Sequence, residues 1–177
     1  MASKFRSRIP WREKLERLHE ARVVQIPPRM QARFGKGTMV IPKPLDVDAL
    51  IRNVPKGKLV TVTQLREQLA KQCKANVACP LTTGIFVRIA AEAAEEERRA
   101  GKKEVTPYWR VLTQDGKLNP KFPGGVQAQK RRLLAEGHKL NQPKSSRSPA
   151  VKDYEKQLVA YLEDADIDDP DLFFNLR

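Results

Sequence analysis

The stretch Leu59-Val60-Thr61-Val62-Thr63-Gln64-Leu65-Arg66-Glu67-Gln68-Leu69 indicates the fold class of this chain. Leu65 and Leu69 lie at i, i+4 after threonines, which predicts a short helix capped near Thr61 or Thr63. A polar connection over residues 71–80 leads to Thr82-Thr83, where a longer helix is predicted to begin. Two helices joined in this way are typical of a helix-turn-helix, whose second helix enters a DNA groove. Generic helical pairs share the same pattern.

The second helix has a clear apolar face. Its apolar residues recur at helical spacing, and Gly101 is a suitable terminator; they are Ile85, Phe86, Ile89, Ala90, Ala93 and Ala94. Its polar positions are Arg88, Glu92, Glu95 and Glu96. DNA would repel the acidic run 95–97, so we expect those carboxylates to point away from any nucleic-acid surface.

Short strands and a further helix follow. Val111-Leu112-Thr113 predicts a strand, Asp115-Gly116 a tight turn and Lys117-Leu118 the return strand. A loop over residues 121–125 leads to a helix predicted over residues 126–135. The fold class is therefore mainly α with a small β wing, a winged-helix-like arrangement containing a helix-turn-helix.

Four segments are predicted along the chain. Residues 1–44 form a basic, Pro-rich arm with a helix over 11–22 and an extended segment over 23–28 that its prolines stop from continuing. Residues 45–140 form a compact middle part, in which Asp46 or Asp48 caps a helix that runs to Arg52. Residues 141–150 are a polar linker. Residues 151–177 comprise an amphipathic helix over 151–162 and an acidic tail.

The charge of the chain is strongly basic and unevenly distributed. Thirty-four Lys and Arg against twenty-one Asp and Glu give a net charge of +13. Residues 163–177 hold six acids and one base, so the other 162 residues carry +18. Such a surface attracts polyanions and favours nucleic acid as partner, although a merely solubilising surface has the same composition. The acidic tail is expected to be a solvated end rather than a competitor for DNA.

The composition argues against several other classes of protein. Two cysteines, Cys73 and Cys79, exclude a disulfide framework and a Cys/His zinc module. No apolar run approaches the roughly 18 residues that span a bilayer, so we expect no membrane association. The first residues lack an apolar stretch typical of a secretory signal, and a cytoplasmic, nucleoid-associated location is expected.

A resemblance emerges from five blocks in fixed order. They are Val54-Pro55-Lys56-Gly57-Lys58-Leu59-Val60-Thr61 with Gln64-Leu65, Pro107-Tyr108-Trp109-Arg110-Val111, Gly124-Gly125, Lys130 with Leu133-Leu134, and Glu136-Gly137-His138. Together they resemble the DNA-binding domain of alkylguanine-DNA alkyltransferases over about residues 45–140. We expect the Pro-rich arm over residues 1–44 to stand where that family has a separate N-terminal domain.

Two residues in the active-site motif depart from that family. Tyr108 occupies the position of the alkyl-accepting cysteine and Trp109 that of its activating histidine. A phenol with a pKa near 10 and an indole that is no base do not supply a thiolate. The chain instead resembles alkyltransferase-like proteins, which bind alkylated guanine without repairing it. That resemblance implies a non-enzymatic, monomeric binder of duplex DNA that cooperates with other repair proteins and needs no cofactor or metal.

The resemblance implies a lesion pocket formed by Tyr108, Trp109, Arg110, Gly124, Gly125 and Glu136. Tyr108 would donate a hydrogen bond to the base edge and Trp109 would stack on it; alternatively, both rings fill the vacated cavity as core. Arg110 is expected to be a structural anchor. Glu136 would accept from the Tyr108 hydroxyl or the Trp109 N–H, or be an ordinary acid at a helix end. The two glycines are expected to give a tight backbone path.

A second set of residues is predicted to contact DNA: Thr63, Leu81, Thr82, Thr83, Arg88, Lys117 and Lys121. Leu81 lies nearest to the position where the family inserts an arginine into the DNA stack, and a leucine is a workable apolar wedge. Val62 lies at the position where that family has a tyrosine that pushes the target phosphate, and a valine cannot perform this role. Thr82 and Thr83 suit phosphate contact at a helix N-terminus, and an N-cap role also explains one of them.

Three functions follow from these observations. The first is recognition of alkylated or otherwise damaged bases in duplex DNA for repair. The second is a general DNA-binding or regulatory module in which the pocket is filled. The third is a base-excision enzyme that uses Glu136 as its acid or base, for which the chain shows no evident second carboxylate.

Overall fold

The computed structural model describes residues 7–17, 19–141 and 148–160. The helices within these residues are α1 (Trp11–Glu16), α2 (Pro28–Phe34), α3 (Pro44–Arg52), α4 (Val62–Gln72), α5 (Pro80–Arg99) and α6 (Gly125–Ala135). The strands are short: β1 (Arg22–Gln25), β2 (Thr38–Ile41), β3 (Val60–Thr61), β4 (Val77–Ala78), β5 (Val111–Leu112), β6 (Leu140–Asn141) and β7 (Ala150–Val151). The prediction of a mainly helical chain with small strands is confirmed. No helix in these ranges is both long and apolar enough to cross a membrane.

The predicted helix-turn-helix consists of α4, the 73–79 connection and α5. Thr61 caps α4: its Oγ1 accepts from the Gln64 backbone N–H at 3.2 Å, while the Gln64 side chain accepts from the Thr61 N–H. This reciprocal capping box explains why the helix begins at Val62. The second helix begins two residues earlier than predicted, because Pro80 occupies its first position, where no N–H is needed.

The N-terminal segment is fastened to that connection by a three-stranded sheet of order β1-β2-β4. β1 and β2 are antiparallel, with Arg22 opposite Ile41, and β2 and β4 are parallel, with Met39 opposite Val77. The extended segment predicted over 23–28 is confirmed at its start by β1 and is wrong at Pro28, where α2 begins. The helix predicted over 11–22 is wrong beyond Glu16, since Arg17 is extended and Arg22 already belongs to β1. Helix α2 was not predicted.

The main core lies between α3, α4 and α5. Leu15 of α1 joins it with 1% exposure, and the Glu96 carboxylate accepts from the Trp11 and Arg12 backbone N–H groups at 3.2 and 2.9 Å. An acid supplied by another helix thus caps the N-terminus of α1. A second core cluster surrounds the parallel pair β3 and β5; it comprises Leu59, Leu112, Leu118, Leu133 and Val151.

Neither Asp46 nor Asp48 caps α3, contrary to prediction. The helix begins at Pro44, with Lys43 at the cap position. Asp48 is buried and instead accepts hydrogen bonds from Thr106 Oγ1 at 2.6 Å and Arg52 Nε at 2.7 Å. Its carboxylate therefore ties α3 to the segment that precedes Tyr108.

The C-terminal prediction is also corrected. Residues 151–160 form no amphipathic helix, because Val151 pairs with Leu140 in an antiparallel ladder and Tyr154–Gln157 is a single 3₁₀ turn. Leu158 then lies beside Leu59 in a bridge. The Asp115-Gly116 turn is present, but Lys117 bridges Ala150 and does not extend a ladder with β5. The acidic tail, the end of the predicted helix and most of the linker lie outside the described residues.

Candidate nucleic-acid-binding site

Tyr108 lies in a 3₁₀ turn, Tyr108–Arg110, directly before β5. Its side chain is 1% exposed. The ring packs edge-on against Trp109 and Phe122, with centroid separations of 5.5 and 5.3 Å. Such edge-to-face contacts are favourable for aromatic rings. Tyr108 therefore fills core volume at the motif, one of the two alternatives that the sequence left open.

The Tyr108 hydroxyl donates to Glu95 Oε1 on α5 at 3.0 Å. Arg132 Nη2 donates to the same oxygen at 2.8 Å, and Arg98 donates to Oε2 from both Nε and Nη2. The hydroxyl proton of Tyr108 is engaged in the hydrogen bond to Glu95. Tyr108 therefore cannot donate it to a base edge, contrary to the sequence-based expectation.

These contacts alter the ionisation of both groups. Burial and the adjacent Glu95 carboxylate raise the pKa of Tyr108, so the phenol stays protonated. Burial acts to raise the pKa of Glu95, but hydrogen bonds from Arg98 and Tyr108 and the charge of Arg132 outweigh it and lower that pKa. Glu95 is thus a carboxylate held by three donors.

The sequence assigned Glu95 to the polar positions of α5, but its side chain is buried and lines the pocket described below. The side chain lies on the buried face of α5 that also carries Ala91, one turn earlier. Glu97 is buried as well and pairs with Arg12 at 2.9 Å and Lys102 at 3.0 Å. Helical periodicity extended from Val87 through Ala91 could have identified Glu95.

A pocket of about 420 Å³ opens beside Tyr108 and Glu95. Its remaining lining consists of Arg98, Arg99, Pro123, Gly124, Ala128, Arg131 and Arg132. Four arginines against one glutamate make the lining basic. Pro123 and Ala128 supply a small apolar wall, and the volume lies within the roughly 300–1,000 Å³ of ligand pockets, although the lining is more charged than is usual for them.

Gly124 shapes one wall of this pocket. Its φ is +72°, in the left-handed region, and it precedes the first turn of α6. A Cβ at this position would lie 2.6 Å from the Ala128 Cβ. The tight path predicted for Gly124 is therefore present, and Gly125, with φ +66°, continues it into α6 without lining the pocket.

Trp109, Arg110 and Glu136 form a network away from the pocket lining. The Trp109 Nε1–H donates to Glu136 Oε1 at 2.8 Å, and the Arg110 guanidinium donates to both Glu136 oxygens at 2.8–3.1 Å. Arg110 Nη1 also donates to the Val54 carbonyl at 2.6 Å. Arg110 thus anchors the motif to the end of α3. Arg132 lies over the Trp109 ring, 4.3 Å from its centroid, and links the network to the pocket.

Glu136 is ionised and fully engaged. Burial acts to raise its pKa, but the hydrogen bonds from Arg110 and Trp109 outweigh burial and lower it. Of the two donors that the sequence proposed for Glu136, the Trp109 N–H is correct. An ionised carboxylate with occupied oxygens is poorly suited to act as a general acid.

The exposed face of α5 is apolar at its start. Leu81 is 70% exposed and Ile85 is 47% exposed, one turn apart. Thr82 and Thr83 both donate to the Cys79 carbonyl, at 3.4 and 2.8 Å. Because Thr83 is also buried, the predicted phosphate contact by Thr83 is wrong. Arg88 is 26% exposed and lies 3.9 Å from Glu92.

The other predicted DNA contacts lie at the surface. Thr63 is half-buried in the first turn of α4 and accepts from Arg66 at 3.5 Å. The Lys117 side chain is 41% exposed and 3.9 Å from Asp115. Lys121 is exposed in the loop before α6.

Neither cysteine is among the described residues that line the pocket. Cys73 ends α4 and Cys79 precedes α5, and both are free thiols. Burial, with the Asp46 carboxylate, raises the pKa of Cys73 and so disfavours its thiolate. Within the described ranges, no group of three or more His, Cys, Asp or Glu side chains is arranged to hold a metal.

Comparisons with known proteins give matches among solved structures. No family model matches the chain, and no curated protein matches it in sequence. The chain is similar to S. pombe Atl1 in complex with damaged DNA containing O6-carboxymethylguanine, with 17% identity over 66% of this chain and 94% of that one and a TM-score of 0.47. It is also similar to S. pombe ATL in complex with DNA, with the same identity and coverage and a TM-score of 0.43.

Proposed function

We propose that this protein is a non-enzymatic DNA-binding protein that recognises alkylated or otherwise damaged bases in duplex DNA, with the damaged base held in the pocket beside Tyr108. The observation that carries the proposal is the pocket of about 420 Å³ that Tyr108 of the Pro107–Val111 motif lines. In the alkyltransferase family that this chain resembles, the position of Tyr108 holds the acceptor cysteine. A base must leave the stack to be read in this way.

The pocket offers chemistry suited to a base. Arg99 and Arg131 are exposed at its lining, and arginine donates in bidentate fashion to O6 and N7 of guanine. Pro123 and Ala128 provide apolar wall against which a ring or an alkyl group can pack. Tyr108 and Glu95 form a rigid, fully paired floor, so specificity would come from the arginines and the shape of the walls.

Binding without chemistry is supported by the state of the candidate nucleophiles. The raised pKa of Tyr108 keeps its phenol protonated, and neither thiol lines the pocket. Glu136, the residue that a base-excision mechanism would need, is ionised and held by Trp109 and Arg110. We therefore favour a binding role over base excision.

The duplex would be engaged by α5 and by the loops around the pocket. Leu81 and Ile85 present apolar side chains at the start of that helix, suited to wedging into the stack or contacting thymine methyl groups. Lys117 and Lys121 would contact phosphates. As part of the same proposal, the protein acts as a cytoplasmic monomer at the nucleoid and marks lesions for other repair proteins.

A second candidate is a general duplex-binding module. The observation that favours it is the complete burial and pairing of Tyr108, which removes this residue from contact with any ligand. In that case the basic pocket would hold a backbone phosphate and the protein would show no preference for damaged bases.

Competition binding with a pocket-filling variant separates the candidates. Duplexes with one O6-alkylguanine, or guanine at the same site, are titrated at fixed salt with wild type and Ala128→Leu. Ala135→Leu is the matched control, since it is exposed on the same helix outside the pocket. We expect a preference of tenfold or more, about 1.4 kcal/mol, that Ala128→Leu abolishes and Ala135→Leu retains. Equal wild-type affinity for both duplexes would favour the general module.

A further inference from the structure

Residues 22–41, comprising β1, α2 and β2, form a unit that we call the basic hairpin. It contains Arg22, Arg29, Arg33 and Lys36 and no acidic residue; the nearest acids in sequence are Glu20 and Asp46. All four basic side chains are exposed. Within the described residues, none of the four forms an ion pair. The hairpin is therefore a surface of uncompensated positive charge.

The charge on α2 is not explained by stability. This helix buries none of its residues, and Arg29 and Arg33 are exposed at i, i+4. Like charges at this spacing destabilise an isolated helix by about 0.2–0.5 kcal/mol. The buried residues of the hairpin, Ile26, Met39 and Val40, lie in or beside its strands. A helix that contributes little to the core and carries repelling cations is better suited to a polyanion.

The hairpin is fixed to the connection of the helix-turn-helix. The Cys79 N–H donates to the Val40 carbonyl at 2.9 Å, and the Asn76 N–H donates to the Thr38 carbonyl at 3.1 Å. Asn76 Oδ1 in turn accepts from the Thr38 N–H at 2.8 Å. These bonds end one residue before α5, close to the exposed Leu81. The hairpin is thus held at the N-terminal end of the helix that we place on DNA.

We propose that the basic hairpin is a second contact to the same duplex, in which Arg22, Arg29, Arg33 and Lys36 bind backbone phosphates beyond the segment covered by α5. The inference rests on the proposed function for its choice of duplex DNA as the polyanion. It assigns the hairpin to affinity and register, because phosphate contacts carry no base information. Preference for a damaged base should therefore not depend on it.

Charge-removing and charge-conserving variants test this contact. Affinity for an unmodified duplex is measured against salt concentration for wild type, for Arg29→Gln/Arg33→Gln/Lys36→Gln, and for Arg29→Lys/Arg33→Lys. Each phosphate contact contributes about 0.9 to the slope of log affinity against log salt. We expect the glutamine variant to lower the slope by about 2 to 3, and the lysine variant to retain it. Circular dichroism confirms that both variants are folded.

The length of the duplex gives a second readout. Wild type should bind a duplex with long flanks more tightly than one trimmed around the α5 site. The glutamine variant should lose this gain in affinity with duplex length. It should keep the wild-type ratio of affinities for damaged and undamaged duplex. Unchanged slope and unchanged gain in the glutamine variant would overturn the hairpin contact, even if damaged bases are preferred. A reduced salt slope in the glutamine variant, together with no wild-type preference for damaged duplex, would support the hairpin contact and overturn the lesion pocket.

Discussion

The hydroxyl of Tyr108 and the carboxylate of Glu95 are joined by a hydrogen bond of 3.0 Å between the motif and α5. The alkyltransferase family that this chain resembles has a nucleophilic cysteine at the position of Tyr108. Here the residue is a buried, protonated phenol that donates a hydrogen bond. Arg98 and Arg132 complete the coordination of Glu95. The site is thus built as a rigid floor under a basic pocket.

Removing the charge of Glu95 should destabilise the fold. Glu95→Gln leaves the guanidiniums of Arg98 and Arg132 without their carboxylate, and we expect a loss of about 1–3 kcal/mol in the free energy of unfolding. Urea denaturation provides the measurement. Glu92→Gln, one turn earlier on the same helix, is the control: burial raises the pKa of Glu92, so removing its charge should not destabilise the fold. Equal effects of the two variants would show that the coordination of Glu95 is not stabilising.

The stability of the motif should depend on pH. The folded-state pKa of Glu136 is lowered from its usual 4.5, so its contribution is complete above that value and is lost as the pH falls through the folded pKa. The difference in unfolding free energy between wild type and Glu136→Gln should therefore be largest above pH 5 and shrink towards pH 3. Urea denaturation across this range measures it.

Glu92 is a control for which the pH dependence of stability has the opposite sign. Burial raises its pKa, so ionising it costs stability in the folded state. Relative to wild type, Glu92→Gln should gain stability as the pH rises above 4.5. If instead the Glu136→Gln difference in unfolding free energy grew as the pH fell, the account of the hydrogen bonds to Glu136 would be contradicted.

The anchoring role of Arg110 can be separated from ligand binding. Arg110→Lys cannot reproduce the fork to Glu136 together with the bond to the Val54 carbonyl. We expect it to cost about 2–4 kcal/mol of stability, because the carboxylate is largely buried. Arg131→Lys at the pocket should leave stability within about 0.5 kcal/mol and weaken binding of damaged duplex. If Arg131→Lys lost stability and Arg110→Lys lost only binding, Arg131 would be the anchor and Arg110 the ligand contact.

Two glycines with similar backbone angles should respond differently to alanine. Gly124 has φ +72° and a close neighbour in Ala128, whereas Gly101 has φ +91° and open space around it. Gly101→Ala should cost about 1 kcal/mol for the left-handed backbone. Gly124→Ala should cost about 1–3 kcal/mol more from overpacking. Thermal melts of both variants give the comparison, and equal costs would mean that Ala128 yields freely.

The sequence predicted what local patterns control. Thr61 and Gln64 carry a complete capping signal, so the start of α4 was predictable, and the Asp115-Gly116 turn was as well. Tyr108 and Gly124 were identified because the motif order placed them. These features depend on residues within a few positions of one another.

Long-range pairing accounts for the errors. Val151 and Leu158 have helical spacing with their neighbours, but their partners are Leu140 and Leu59. Glu95 was assigned to the polar positions of its helix, whereas its hydrogen bonds with Arg132 and Tyr108 hold it in a buried position. Strand pairing and ion coordination between distant segments leave little trace in a local pattern.

The most direct test of a damaged base in the pocket is proximity trapping. Ala128→Cys, in a background with Cys73 and Cys79 replaced by serine, is mixed with a duplex whose guanine carries at O6 a tether ending in an activated disulfide, from which the introduced thiolate displaces the leaving thiol. Ala135→Cys on the outer surface of α6 is the control. The account predicts a disulfide cross-link at position 128 and little or none at position 135. Equal cross-linking at both positions, or none at 128 while the duplex is bound, would contradict the placement of the base beside Tyr108.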